Sequence, residues 1–504
     1  MNSAFSIVDW SIFGLYFAIL TVSSIVLSRV KVENTRDYFV GGNSVPMFAV
    51  AISVLATSQS AATFLGAPEY AYGKDLTFLG FYFSAFLAVL FVSKVLIPRF
   101  YAIKAVTVYS LLEHRYGQRA KRQAGMMFLI GRLFASGARL YIGALAISMI
   151  LFLDISANHV AISIAILMLG ALVYAYFGGV KSIIFSDMIQ AVTYIGAGIA
   201  VLLYLFFSID ADFFTMIHTL EAQNKLQVLD FSMAGDFSVW ALLGGWLLLN
   251  IAAYGLDQDM TQRALACKNV KEAQRSLMLS IYLTIPVAIL FLCIGLLLYL
   301  FYQHPELSHL STQVVQNFEG EKITIFMYYI LYEMPEGLRG LVTVGAVAAA
   351  LSSSNSVLGA MSSVAIEDIY RPWKQSRSKK AVDEYHFVKA GRQAVLFFAM
   401  ALSLMAMLCF YWQRYTELPL LSFALGVMAF SYTGLLGVFA TAIFTTRGTA
   451  QRVPFALVGG FLTVLLLQPY VLAVFVEMNL GFAWQIMGGT LVSFVIMVTA
   501  KAKG

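Results

Sequence analysis

Apolar runs of about 20 residues recur along the whole chain, each long enough to cross a hydrocarbon core as a helix. They fall at about 8–28, 45–72, 76–97, 122–152, 158–177, 182–208, 238–258, 275–301, 338–366, 390–412, 417–443, 453–475 and 480–500. None shows the sustained apolar/polar alternation of a barrel strand. The pattern predicts an all-α membrane protein with about 13 transmembrane helices, and an odd count puts the termini on opposite sides.

Composition agrees. Of 504 residues 60% are hydrophobic and only 12% charged, with a mean hydropathy of +0.79, whereas a soluble domain carries roughly 25% charge. The solvent of such a chain is lipid. Its net charge of +6 is a topology signal rather than a nucleic-acid footprint, because the bases sit between the apolar runs. Lys and Arg crowd the loops at 29–44, 98–121, 259–275, 367–392 and 444–452. The loops at 209–237 and 302–337 instead carry Asp210, Asp212, Glu221, Glu306, Glu319 and Glu321, with Lys225 and Lys322 as bases. Roughly 25 of the 33 basic residues then share one face, which the positive-inside rule makes cytoplasmic. The N-terminus is expected outside and Lys501-Ala-Lys-Gly504 inside.

Three scattered cysteines, Cys267, Cys293 and Cys409, argue against a disulfide framework or a zinc site. The first apolar run lacks the flanks of a cleaved signal peptide and reads as a retained helix. The longest extramembrane pieces are about 25–35 residues, too short for a soluble catalytic domain, so an enzyme is disfavoured.

Polar groups inside spans are costly and mark pathways. The span at 45–72 has a small, polar centre from Ala56 to Thr63, followed by Gly66 and Pro68. Two readings fit: a helix unwound to offer carbonyls to a cation, or close helix packing through small residues. In the span at 338–366, Ser352, Asn355 and Ser356 stand at i, i+3 and i+4 and share one face, with Ser353 beside them. A row of hydroxyl oxygens suits a hard cation such as sodium; a Ser-rich stripe bonding back to carbonyls is the alternative. Asp187 can ligate a cation, carry a proton or pair with an arginine. Arg132 and Arg139, seven residues apart, lie on nearly one face of the helix at 122–152. Arg139 is the better placed to grip a substrate carboxylate, and Arg132 to neutralise Asp187.

These residues belong to longer motifs. In order they are Arg36-Asp-Tyr-Phe-Val-Gly-Gly-Asn-Ser-Val-Pro46, Leu55-Ala-Thr-Ser-Gln-Ser-Ala-Ala-Thr-Phe-Leu-Gly66, Glu113-His-Arg-Tyr-Gly117, Tyr176-Phe-Gly-Gly-Val-Lys-Ser-Ile-Ile-Phe-Ser-Asp-Met-Ile-Gln190, Asp257-Gln-Asp-Met-Thr-Gln-Arg-Ala-Leu-Ala266, Ala348-Ala-Ala-Leu-Ser-Ser353 and Glu367-Asp-Ile-Tyr370. From about residue 8 to residue 450 the chain resembles the sodium:solute symporter family, the group of the sodium/glucose, proline and sialic acid symporters.

The resemblance implies a leucine-transporter-type fold of two inverted five-helix repeats with flanking helices. Residues 1–44 would hold the first helix and a cytoplasmic loop, 45–208 and 238–443 the repeats, and 453–504 two C-terminal helices. It implies sodium (Na+) as the coupled ion. The principal site would use the carbonyls of Ala56, Gln59 and Ala349 and the hydroxyls of Ser352 and Ser353. Some members have a second site, which maps onto Asp187, Ser352, Asn355 and Ser356, with Asn355 standing where those members have serine. The substrate pocket would be lined by Ser58, Ser60, Thr63, Arg139, Asn250, Tyr254, Ser431 and Tyr432. Arg139 departs from the neutral pocket of the sugar transporters and points to an anionic or zwitterionic solute.

The expected activity is import of a small, carboxylate-bearing organic solute with sodium across a bacterial inner membrane, by alternating access, with a monomer sufficient and no nucleic-acid partner. A proton-coupled carrier using Asp187, a transporter-like sensor and a channel are the rival readings.

Overall fold

The computed structural model describes residues 5–28, 32–233, 235–308, 317–318, 321–378, 381–416, 420–472 and 480–499. Glu319 and the C-terminal Lys501 and Lys503 lie outside the described residues. Among the described residues the regular structure is helical apart from one pair of two-residue strands, Asn317–Phe318 against Glu321–Lys322.

Among the described residues, seven helices are long and apolar enough to cross a membrane, or nine if each of two bent pairs forms one span. In chain order the elements used below are α1 (Ile7–Ser28), α2 (Met47–Ser58), α3 (Ala61–Gly73), α4 (Leu79–Ala102), α5 (Gln118–Phe152), α6 (Ala157–Phe207), α7 (Val239–Gly255), α8 (Gln258–Leu265), α9 (Val270–Gln303), α10 (Leu338–Arg377), α11 (Glu384–Thr416), α12 (Leu420–Phe444), α13 (Val453–Leu466) and α14 (Phe482–Val498).

At 51 residues α6 would run to roughly 77 Å as one rod, more than twice a hydrocarbon core. It is instead two segments joined at Gly179, whose φ of 59° and ψ of −154° are not helical. A Cβ there would lie 2.4 Å from the Tyr38 carbonyl oxygen, so the residue must be glycine on both grounds. The Tyr38 hydroxyl donates to the Ala175 carbonyl at 2.7 Å and ties the segment before α2 to this bend.

Among the seven long apolar helices the most enclosed is α10, whose apolar window is 94% buried, against 22% for α1 at the periphery. A helix apolar all round belongs in the centre of a bundle. It packs most extensively along α6 and also against α5, while α9 lies along α2 and α3. Separately, α12, α13 and α14 pack on one another. Large apolar side chains left outside, including Leu169, Val192, Leu203, Leu404 and Leu408, are the faces a bilayer would cover.

One boundary read from the sequence is corrected. The stretch at 259–275 was expected to be a basic loop, but Gln258–Leu265 is a helix and all eight of its residues are buried. The polar composition that reads as solvated is here satisfied by ion pairs inside the bundle.

Candidate functional site

The central feature is a break between α2 and α3. Gln59 (φ −88°, ψ 138°) and Ser60 (φ −137°, ψ 170°) are extended, so the helix stops at Ser58 and restarts at Ala61. Short hydroxyl side chains compete with helical hydrogen bonding and favour such an interruption. Ser58 Oγ donates to the Leu55 carbonyl at 2.7 Å and Thr57 Oγ1 to the Ser53 carbonyl at 2.8 Å. Carbonyls in the last turn of a helix lack the donors that a continuing helix would supply; Ala56 sits in that turn and Gln59 just past it.

Facing this break is the Ser-rich turn of α10. Thr57 Oγ1 and Ser356 Oγ are 3.4 Å apart. Ser353 Oγ donates to the Ala350 carbonyl at 3.0 Å and lies 3.4 Å from the Ala349 carbonyl, which leaves its lone pairs available. Ser352 Oγ donates to Asp187 Oδ1 at 2.9 Å, and Ser53 donates to the other oxygen of the same carboxylate. Asp187, on the second segment of α6, therefore bridges α2 to α10. Asn355 Nδ2 turns away to the Ser186 hydroxyl at 3.1 Å. All of these side chains are buried.

Asp187 does not pair with Arg132, as was expected. Its partner is Arg263 of α8, with Nη2 3.1 Å from Asp187 Oδ2. Arg132 pairs instead with Asp257, at 2.9 Å, and with Asp259. The reason is the second bend, between α7 and α8. There Asp257 caps α8 by accepting from the Asp259 N–H at 2.9 Å, and Asp259 faces Arg263 one turn later at 2.8 Å. The result is an alternating buried chain: Asp257, Arg132, Asp259, Arg263, Asp187. Buried ions persist only when paired, because each loses hydration. Here every charge has an opposite neighbour. Tyr432 donates its hydroxyl to Asp257, which fastens α12 to the same network. Asp257, Asp259 and Arg263 were not among the expected site residues. Their signal in the sequence was an aspartate at a helix start and an Asp–Arg pair at i, i+4.

The expected substrate contacts separate into groups. The Tyr254 hydroxyl meets the Ser58 side chain, and the Tyr82 hydroxyl meets Gln59. Asn250 Nδ2 lies 3.5 Å from the Phe81 carbonyl. Gln59 is buried at the break. Ser60 makes no capping bond with its side chain, and Thr63 follows in the first turn of α3. The break, α4 and α7 thus bring Ser58, Gln59, Tyr82, Asn250 and Tyr254 to one region. Tyr432 is committed to Asp257. Ser431 sits against α5, where a Cβ at Gly131 would lie 2.0 Å from its side chain. Arg139 lines a narrow cleft with Ser136, Met168, Ser353, Ser354 and Leu402. That cleft reaches the α10 serines but none of the other expected substrate contacts.

Among the described residues, no three His, Cys, Asp or Glu side chains converge to hold a metal. The oxygens gathered here are hydroxyls, carbonyls and a single carboxylate, a set suited to a weakly held hard cation.

Comparison with known proteins gives one family. Its model, for the sodium:solute symporter family, matches residues 38–462. A sodium/sialic acid symporter of Aliivibrio fischeri is 28% identical over 462 residues, covering 90% of this chain and 86% of the relative. A sodium/glucose cotransporter of Vibrio parahaemolyticus is 26% identical, covering 90% and 85%. Among solved structures, a Na+-coupled sialic acid symporter in a substrate-bound outward-open state superposes with a TM-score of 0.81 at 24% identity, over 98% of this chain and 97% of that one. A nucleobase-cation-symport-1 family transporter superposes with a TM-score of 0.55 at 13% identity, over 92% and 93%.

Proposed function

The chain belongs to the sodium:solute symporter family, and we propose that it imports a small, carboxylate-bearing organic solute together with sodium by alternating access. It is a multi-pass membrane protein. The proposed topology has 13 spans in a bacterial inner membrane, N-terminus outside and C-terminus in the cytoplasm, with inverted repeats at 45–208 and 238–443.

The observation that carries this reading is the helix break at Gln59–Ser60 beside the Ser-rich turn of α10, where Thr57 Oγ1 and Ser356 Oγ are 3.4 Å apart. In the proposed cycle, sodium enters between the break and that turn, held by the carbonyls of Ala56, Gln59 and Ala349 and the hydroxyls of Ser352 and Ser353. It fixes the angle between α2 and α3 and so completes the solute pocket. Binding energy can shift the conformational equilibrium only if sodium prefers one state, and a cradle shared by two moving elements supplies that preference. The inward membrane potential adds about 2.3 kcal/mol per charge per 100 mV.

A carboxylate-bearing solute is supported by the Arg139 guanidinium, which lines a cleft beside Ser353. Relatives named for sialic acid and for monocarboxylates point the same way.

The test is a thermal-shift screen of the purified protein against amino acids, carboxylates and neutral sugars, with and without sodium. A carboxylate that stabilises the protein only when sodium is present is the expected result. Stabilisation by a neutral sugar alone, or by any solute equally in potassium, contradicts the reading.

A further inference from the structure

We propose that Arg263 is a tethered cation that occupies the second ion position of this transporter, so that a single sodium ion binds per molecule. This inference rests on the sodium-coupled reading above and sets its stoichiometry.

The residues that would form a second sodium site are Asp187, Asn355 and Ser356, with Ser352 beside them donating to Asp187 Oδ1 at 2.9 Å. In the structure, two of them hold the guanidinium of Arg263. Its Nη2 lies 3.1 Å from Asp187 Oδ2 and also donates to Ser356 Oγ. Nε donates to Ser53 Oγ at 2.7 Å, and Nη1 to Asp259 Oδ1 at 2.8 Å. All three nitrogens are used, and the side chain is only 1% exposed. The third residue, Asn355, has its amide on Ser186 and its carbonyl oxygen 3.3 Å from Ser356 Oγ.

A cation needs a negative charge and several oxygens. The guanidinium already takes both here. A sodium ion added at Asp187 would sit against a positive charge that cannot retreat, because Asp259 holds its other side inside the bundle. Moving Arg263 into water would strand Asp187, which makes the arginine a fixture. Of the two principal-site hydroxyls, Ser353 has no contact with Arg263 among the bonds described, and Ser352 donates to the other oxygen of Asp187.

The consequence is a rule for ion number: a fixed positive charge replaces a diffusible one at the same carboxylate. Its removal should convert the protein from one sodium to two. The double substitution Arg263→Gln with Asp259→Asn removes one charge of each sign and leaves Asp187 in need of a cation.

Equilibrium binding of radioactive sodium to the purified full-length protein, by scintillation proximity, tests this without knowledge of the solute. The expected result is one sodium per wild-type molecule, one in Arg263→Lys and two in the double variant. Two sodium ions on the wild type overturn the inference while leaving sodium coupling intact, as does one on a folded double variant. No sodium on the wild type overturns the sodium reading and this inference together. Should the double variant not fold, the wild-type count decides alone: one supports the tethered cation and two refutes it.

Discussion

Ser352 and Ser353 are neighbours with different surroundings, and the difference sets what each substitution should do. Ser353 bonds only to carbonyls of its own helix, whereas Ser352 also steadies Asp187. Losing one hydroxyl ligand should weaken sodium by about tenfold, which corresponds to ~1.4 kcal/mol. Ser353→Ala is expected to raise the sodium concentration for half-maximal uptake by about that factor with little change in stability. Ser352→Ala should raise it at least as much and also lower the apparent unfolding temperature. Normal sodium dependence in both would remove the mapped cradle. Arg132 tests the ion network. Arg132→Ala leaves Asp257 facing a buried void, and breaking such a pair costs about 3–5 kcal/mol. Thermal unfolding in detergent should show a large drop, partly restored by adding Asp257→Asn; equal stability of wild type and Arg132→Ala would mean that the pair carries no weight. The hydroxyl row was legible from spacing alone, because i, i+3 and i+4 define one helix face. The partner of Asp187 was not. Arg132 and Arg139 were the arginines in view, and it is the packing of α8 against α2 and α10 that brings Arg263 to it.

Two interruptions shape the elements: Gln59–Ser60 and Gly179. The first was readable as a small, polar centre within an apolar run, although packing of small residues predicts the same composition. The second was readable only as a short connection between two spans at 158–177 and 182–208. What the pattern could not supply is that the chain bends there under the Tyr38 carbonyl. Gly179→Ala should cost about 1–3 kcal/mol through its left-handed φ, and more through the contact with Tyr38. A lower apparent unfolding temperature and poorer yield of monodisperse protein would show it; an unchanged melt would mean that the bend relaxes freely. The misplaced stretch at 259–275 has a physical lesson. Hydropathy treats Asp259, Gln262 and Arg263 as solvent-seeking one by one, yet as mutual partners they are buried at 2% exposure or less. Close packing also couples elements: at Gly143 a Cβ would stand 2.8 Å from Ala350 Cβ and 3.5 Å from Ala61 Cβ, so α5 touches both walls of the cradle.

For the molecule as a whole, the family agrees with what the motifs implied, whereas sidedness rests on loop charge. It predicts that a cysteine placed at Gln223 labels with an impermeant maleimide in intact cells and one at Gln375 only after permeabilisation, both in a background lacking Cys267, Cys293 and Cys409. The reverse pattern would invert the topology. The account as a whole depends on a sodium gradient driving solute through the cradle between α2, α3 and α10. The most direct measurement is uptake of the carboxylate found by thermal shift into proteoliposomes holding purified protein. An inward sodium gradient without a proton gradient should concentrate the solute, an uncoupler should leave that accumulation intact, and Ser353→Ala should shift its sodium dependence. Accumulation driven by an inward proton gradient in sodium-free buffer would contradict it.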